Sequence, residues 1–363
     1  MKRVAQDIQR PHDAAFSDAL IAWQKQHGRH QLPWQQTRDA YRIWLSEIML
    51  QQTQVATVIP YYHRFLQRFP DVAALAAAPV EEVMALWAGL GYYTRARNLH
   101  RCAQAVVEQH AGRFPSDVTA LAALPGIGPS TAAAIAAFAY GARAAILDGN
   151  VKRVFCRVFG IEGFPGQSAV EKQLWQRASA LLPERDIEAY TQGLMDLGAT
   201  LCTRSRPRCG DCPMQSRCVA YDTGRTAELP ARKPKKATPE KSTVMLLVMY
   251  DGEILLEQRP PSGIWGGLQS LPELERLGGD ASADDVVAEV RAVLSDLGKI
   301  KRIETLPDFM HAFTHYKLMV TPLRVELSSL HASAAQRDLL WVRVGKLAEA
   351  ALPAPVRKLL TGV

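Results

Sequence analysis

From Ala14 to about Cys218 apolar residues recur three and four apart, as in Ile43, Leu45, Ile48, Met49 and Val55, and again in Leu75, Val83, Leu86 and Leu90. That period gives each of a series of helices one apolar face. No convincing strand alternation interrupts it, so this region is predicted to be all-helical. The pattern changes after TGRTAELPARKPKKATPEKS, Thr223 to Ser242, where Pro230, Pro234 and Pro239 stand among Arg225, Arg232, Lys233, Lys235, Lys236 and Lys241. Proline removes backbone donors and like charges repel, so the segment reads as an extended linker. Beyond it, STVMLLVMYDGEILLEQR holds two short apolar runs joined by Asp251-Gly252, a strong hairpin signal. Strands are predicted again in MVTPLRVEL and LLWVRV, around the helical segment ADDVVAEVRAVLSDLG. The expected organisation is multidomain: an all-α region over 1–222, a basic linker over 223–242 and an α/β domain over 243–363. No internal repeat of fixed period stands out.

Composition adds bounds. A chain of 363 residues exceeds one ordinary core, and 48% hydrophobic with 22% charged residues is the balance of a soluble globular protein. The 43 Lys and Arg against 36 Asp and Glu give a formal charge of +7, which makes a polyanion a plausible partner without identifying it. The opening MKRVAQDIQRPHD has no apolar signal core, and the longest apolar run, Ala132 to Tyr140, falls short of the roughly 18 residues of a membrane helix. An intracellular, cytoplasmic protein without a membrane partner is expected.

Four stretches can carry chemistry. In LPGIGPSTAAAIAAF, Leu124 to Phe138, Gly126 and Gly128 can take positive φ and let backbone approach another chain closely. Ser130 opens a helix whose free N–H groups favour an anion such as phosphate; a plain interhelical turn would use the same residues. In ILDGNVKRVF, Asp148 can cap the following helix or stand beside a developing positive charge. In AYRIWLSEIMLQQTQVATV, Glu47 lies within one helical turn of Trp44, Ile48 and Leu50. Burial there would raise its pKa and suit it to give a proton near neutral pH, whereas an exposed or capping Glu would do neither.

The most specific signal is Cys202, Cys209, Cys212 and Cys218, spaced C-x6-C-x2-C-x5-C. Four thiolates in a compact loop hold either one zinc or a [4Fe-4S] cluster. Arg204, Arg206 and Arg208 alternate in the first loop, as a basic finger for DNA phosphates or as a solvated loop.

Together these pieces resemble the helix-hairpin-helix DNA glycosylases with an iron-sulfur cluster, most closely the MutY-type adenine DNA glycosylases, over essentially the whole chain. LPGIGPST looks like the family hairpin, ILDGN its aspartate loop, and the four cysteines its [4Fe-4S] spacing. The resemblance implies double-stranded DNA with adenine opposite 8-oxoguanine or guanine as substrate, and a monomer associated with the nucleoid. Repair or replication proteins are possible further partners. Endonuclease III relatives share hairpin, aspartate and cluster, but carry a lysine at the position of Ser130. An amine can form a Schiff base at the sugar, and a hydroxyl cannot. WLSEIMLQQTQV matches the adenine branch, in which the residue at Glu47 protonates adenine N7 and the residue at Asp148 stabilises the sugar cation or bonds to it transiently. By the same match Asn150 is expected near the reacting sugar. Leu32, Trp34 and Gln192 are expected to line the adenine pocket, and Gln52 and Tyr92 to enter the base stack beside the opposing base.

The C-terminal domain resembles a Nudix fold. Gly267 and Glu273 fit the Nudix Gly-x5-Glu-x7-Arg-Glu box, but its Arg-Glu positions fall at Ala281 and Ser282, and Glu289 is the only glutamate of the helix that follows. A fold retained for recognition is therefore expected. In the family a Phe-Ser-His turn contacts 8-oxoguanine; this chain has Phe313, Thr314 and His315. Ala40 also departs from the family, which usually has proline there. The alternatives are an endonuclease III-like pyrimidine glycosylase and lyase, a Nudix nucleotide hydrolase with a helical appendage, and a non-enzymatic, redox-responsive DNA-binding protein.

Overall fold

A computed structural model describes residues 14–233, 239–260, 263–275, 283–313, 316–331, 340–348 and 350–361. The chain divides into two compact units, Met1–Ala78 with Asn98–Pro234, and Pro79–Arg97 with Lys235–Val363.

The first unit is helical among its described residues, as the 3.6-residue period predicts. In chain order the α-helices are α1 (Ala14–His27), α2 (Ala40–Leu50), α3 (Val55–Arg68), α4 (Val72–Ala77), α5 (Val80–Trp87), α6 (Thr94–His110), α7 (Val118–Ala123), α8 (Pro129–Tyr140), α9 (Gly149–Val158), α10 (Ser168–Ala180), α11 (Ile187–Asp196) and α12 (Val219–Asp222). Of these, α5 and the first turn of α6 belong to the second unit. A π-helical turn, Leu197–Leu201, extends α11 toward the cysteines.

Local chemistry explains the segments that matter for the site. Helix α8 starts with Pro129 at its first position, where a missing N–H costs nothing. It stops at Gly141, whose φ of 68° is left-handed; Ala142 N–H donates to Ala136 and Gly141 N–H to Ala137, the pairing that satisfies terminal carbonyls. Between them Ala132 to Ala137 are all buried, and the small side chains of the alanines on either side of Ile135 let α8 pack against α2 and α7. Helix α9 buries Val151, Val154, Phe155, Cys156 and Val158 in a core shared with Phe16, Leu20, Leu174, Tyr190 and Leu194.

Among its described residues the second unit carries an eight-stranded sheet with the path β3-β2-β1-β7-β5. Its strands are β1 (Glu240–Tyr250), β2 (Glu253–Gln258), β3 (Gln269–Ser270), β4 (Glu273–Glu275), β5 (Gly298–Thr305), β6 (Phe309–Ala312), β7 (Lys317–Leu330) and β8 (Leu340–Arg343), with helices α13 (Ala283–Val293) and α14 (Ala354–Leu360). The predicted hairpin is present. Met249 pairs with Ile254 and Tyr250 with Glu253, across Asp251 at φ 47° and Gly252 at φ 74°. Two successive left-handed residues match the twist of the strands. Strands β1 and β7 run parallel at the centre, setting Leu246 beside Leu323 and Val248 beside Val325, with Val290 of α13 and Leu294 just after it in the same core. Parallel strands buried on both faces read as continuous apolar runs, which is why VMLLVM shows no alternation.

Candidate active site and DNA interface

One large cavity, about 1600 Å³, lies in the helical unit, and Glu47, Ser130, Asp148, Asn150, Arg153 and Gln192 are among its lining. Its size exceeds the several hundred Å³ that a small-molecule pocket occupies and suits part of a polymer.

Glu47 reaches the cavity from α2, whose Ile43, Trp44, Leu45, Ile48 and Met49 are buried. That apolar anchorage removes water from the carboxyl, and burial, with the Asp148 charge as the second cause, pushes its pKa up to about 8. Asp148 caps α9, its Oδ1 accepting the Val151 N–H at 2.8 Å. Burial raises its pKa, opposed by the backbone N–H groups of Val151 and Asn150 and by the charges of Arg153 and Lys152. Capping and placement in the cavity are thus held by one side chain at once. The two carboxyls, from separate helices, meet in one cavity with different environments: Glu47 among apolar groups, Asp148 among donors.

The hairpin differs from its motif in one detail. Gly126 has φ 77°, and a Cβ there would stand 2.7 Å from Asn98 Cβ, so both conformation and space require glycine. Gly128 has φ −85° as the cap of α8, and a Cβ there would meet nothing within 4 Å. Its lack of a side chain leaves the helix N-terminus open. Ser130 Oγ accepts the Leu147 N–H at 2.9 Å, joining the hairpin to the aspartate loop.

The other wall is built from α11 and the loop before α2. Leu32, Trp34 and Gln192 line the cavity together. Trp34 is buried edge-on against Tyr62 at 5.4 Å. The Leu32 N–H donates to Gln35 Oε1, and Gln35 Nε2 donates to the Arg29 carbonyl, closing the loop on itself. Gln52, exposed at the cavity edge, adopts φ 58°, an uncommon conformation for a residue with a side chain. In the second unit Tyr92 also has positive φ, 50°, and is 47% exposed.

Asn150 Oδ1 accepts from Arg153, which also donates to the carbonyls of Gly198 and Cys202 at 2.8 Å each. Gly198 in the π-turn makes room: a Cβ there would fall 2.5 Å from Asn150 Cβ. This link from the cavity to the cysteine loop had no sequence signal beyond an arginine three residues after Asn150. Cys202, Cys209, Cys212 and Cys218 ring a separate small cavity whose other lining includes Val154, Val158, Leu197 and Leu201. Among the described residues no three His, Cys, Asp or Glu converge as ligands of a single ion. Arg157, buried, fastens the loop: it donates to the carbonyls of Thr203, Arg204 and Leu229, and lies 3.4 Å from Cys202 Sγ. Arg204, Arg206 and Arg208 are exposed; Arg204 lines the large cavity, and Arg208 pairs with Asp211 at 3.8 Å.

In the second unit Phe313 directly follows β6, its N–H donating to the Tyr316 carbonyl at 2.9 Å and its ring stacked on Tyr316 at 4.6 Å. His311 and Trp265 complete an aromatic cluster around it, and Trp265 has φ 52°. Thr314 and His315 lie outside the described residues, as do Ala281 and Ser282 of the broken Nudix box. Glu273, the box glutamate, stands on β4 paired with Arg259 at 2.8 Å. Gly267 has φ 73°, which only glycine adopts freely. Arg97 donates to the Gly266 carbonyl, holding that turn. No helix among the described residues is long and apolar enough to cross a membrane.

Comparison with known proteins agrees with this geometry. Residues 45–180 match the HhH-GPD superfamily of base excision DNA repair proteins and residues 243–362 match the NUDIX domain. An adenine DNA glycosylase of Buchnera aphidicola subsp. Baizongia pistaciae is 35% identical, with 96% of each chain covered. One from Mus musculus is 34% identical over 95% of this chain and 77% of its own length. Among solved structures, a thermostable thymine-DNA glycosylase superposes with a TM-score of 0.52 at 30% identity, covering 58% of this chain and 96% of that one. With a carboxyl pair in one cavity, the hairpin beside it and a relative 35% identical over 96% of both chains, the chain belongs to the adenine DNA glycosylase family.

Proposed function

We propose that the protein removes adenine mispaired with 8-oxoguanine, and with guanine, by hydrolysing the N-glycosidic bond and leaving an abasic site. The observation that carries this reading is the meeting of Glu47 and Asp148 in one cavity, both carboxyl pKa values raised by burial. Near neutral pH Glu47 keeps its proton and gives it to N7 of the extruded adenine, drawing electrons from the glycosidic bond. Asp148, surrounded by donors that favour its charged form, offsets the positive charge growing on the sugar. The C1′–N9 bond breaks, adenine leaves with that electron pair, and water adds to C1′, its surplus proton passing to the Glu47 carboxylate that protonating the base left behind. Extruding the base costs a few kcal/mol, less at a mispair. Ser130, Gln52, Tyr92 and the arginines Arg204, Arg206 and Arg208 hold the DNA, and Leu32, Trp34 and Gln192 hold the base.

Cys202, Cys209, Cys212 and Cys218 would hold a [4Fe-4S] cluster. Four cysteine sulfurs around one small cavity offer the all-thiolate donor set that such a cluster takes. The cluster would supply a fixed frame for the basic loop. Phe313, held in the aromatic cluster, reads the lesion opposite the adenine together with Thr314 and His315. We further assign the protein to the cytoplasm, on the nucleoid, as a monomer.

The test is single-turnover cleavage of a labelled duplex with adenine opposite 8-oxoguanine, developed with and without alkali, beside a thymine-glycol duplex. Excision that becomes a strand break only after alkali, and is lost in Asp148→Asn, supports the reading. Cleavage at thymine glycol without alkali, or none anywhere, overturns it. Iron content and iron-thiolate absorption in the visible decide the cluster, and equal losses on 8-oxoguanine and guanine duplexes in Thr314→Ala would remove the lesion-reading role.

A further inference from the structure

A glutamine in a base pocket is ambiguous, because its carboxamide offers an acceptor at one end and donors at the other and can turn over. In this chain Gln192 is not free to turn. Its Nε2 lies 2.8 Å from Oδ1 of Asp196, one helical turn further along α11. Asp196 is fully buried, and its carboxylate also receives the Arg29 backbone N–H at 2.8 Å on Oδ2 and the Arg29 guanidinium at 2.7 Å on Oδ1. A carboxylate held beside a guanidinium only accepts hydrogen bonds, so the end of Gln192 that faces it must be the NH2. Gln192 and Arg29 line the large cavity, while Asp196 lies behind its wall.

We propose that Asp196 is a specificity-determining positioning residue. By engaging the NH2 of Gln192 it leaves Oε1 as the group presented to the extruded base, so the pocket accepts a purine with a 6-amino donor and rejects one with a 6-oxo acceptor. The Arg29 charge stabilises Asp196 in the buried wall, and the two Arg29 contacts fix the carboxylate in place. The chemical logic is that of a site with one committed hydrogen-bond partner: the wrong base leaves two acceptors facing each other without water. The inference rests on the adenine-excision reading and on the place of Gln192 in the base pocket.

The experiment compares single-turnover removal of adenine and of hypoxanthine, each opposite 8-oxoguanine, by the full-length protein. The wild type is expected to remove adenine about 100-fold faster or more, on the order of one or two lost hydrogen bonds. In Asp196→Asn the carboxamide of residue 196 can accept or donate, Gln192 can present either end, and the ratio should fall about tenfold. Adding Gln192→Glu to that variant restores a side chain with acceptors only, and the ratio should recover. A loss of rate that is equal for both bases, or a ratio that Gln192→Glu leaves unrestored, would show that Asp196 only supports the fold. Should Asp196→Asn fail to fold, Gln192→Met in the wild-type background decides: it removes the acceptor, and an unchanged ratio overturns the inference. If the wild type removes no adenine at all, the reading of the active site fails, and this inference fails with it.

Discussion

Ser130 Oγ accepts the amide hydrogen of Leu147 at 2.9 Å, so the second residue of α8 holds the residue that precedes Asp148. The hydroxyl of the hairpin therefore acts on the aspartate loop and not only on whatever approaches the helix N-terminus. Ser130→Ala should lower stability by about 1 kcal/mol, the value of a typical hydrogen bond, and reduce both the excision rate and the duplex affinity severalfold. Thermal melts, single-turnover rates and a binding isotherm check this. Weakened binding at unchanged stability would return the hydroxyl to phosphate contact alone.

Asp148 both caps α9 and faces the cavity, and two substitutions separate the roles. Asn caps about as well as Asp, so Asp148→Asn should keep the melting temperature while excision falls by a factor of about 10²–10³. Asp148→Ala should lose the same activity and in addition about 1 kcal/mol of stability. Equal stability in the two variants would show that the cap contributes nothing.

Glu47 titrates at about 8 in the folded protein against 4.5 for the free side chain. The folded state thus binds this proton more tightly than the unfolded chain. Its contribution is full below about pH 4.5 and is lost as pH rises to about 8. Glu47→Gln should remove that loss: its advantage in stability over the wild type should grow across this window to roughly 1–3 kcal/mol, discounted for the part of the side chain that meets solvent in the cavity. Excision by the wild type should decline above about pH 8 as the proton donor is lost, and Glu47→Gln should be inactive yet bind the duplex. Melts and rates from pH 5 to 9 test both signs.

Ala40 occupies the first turn of α2, directly after the cap Asp39, whose ψ of 112° is already extended. Proline fits a first helical position and favours an extended residue before it. Ala40→Pro should therefore stabilise the protein by about 0.4–1 kcal/mol through the unfolded chain, with excision unchanged. Denaturant unfolding would measure it, and destabilisation would mean that the Ala40 N–H is needed.

Much of the site was legible because its residues sit close together in sequence and their chemistry is local. The Asp251-Gly252 hairpin could be read from two residues suited to positive φ, and Asp148 from its place before a helix. What escaped reading depends on contacts far apart in the chain or on short elements. Arg29 and Asp196 are 167 residues apart, and neither looks unusual among its neighbours. Strands β3 and β4 have two and three residues, too few to display a period. Strand β5, GKIKRIET, is too charged to look buried, and much of it is exposed. Gly126 and Gly128 look alike in the motif, yet only the first takes positive φ, because only there does the backbone turn against Asn98.

Arg157 holds the cysteine loop through the carbonyls of Thr203 and Arg204, and the segment beyond it through that of Leu229. A carbonyl is the same whatever side chain its residue carries, so this anchor sets the path of the chain while leaving the exposed position 204 open to substitution. The outward charge of the loop can therefore be rewritten, at Arg204 above all, without disturbing what holds the loop down. Two properties, how firmly this segment is seated and what it offers to a nucleic acid, are carried by different atoms and can evolve independently.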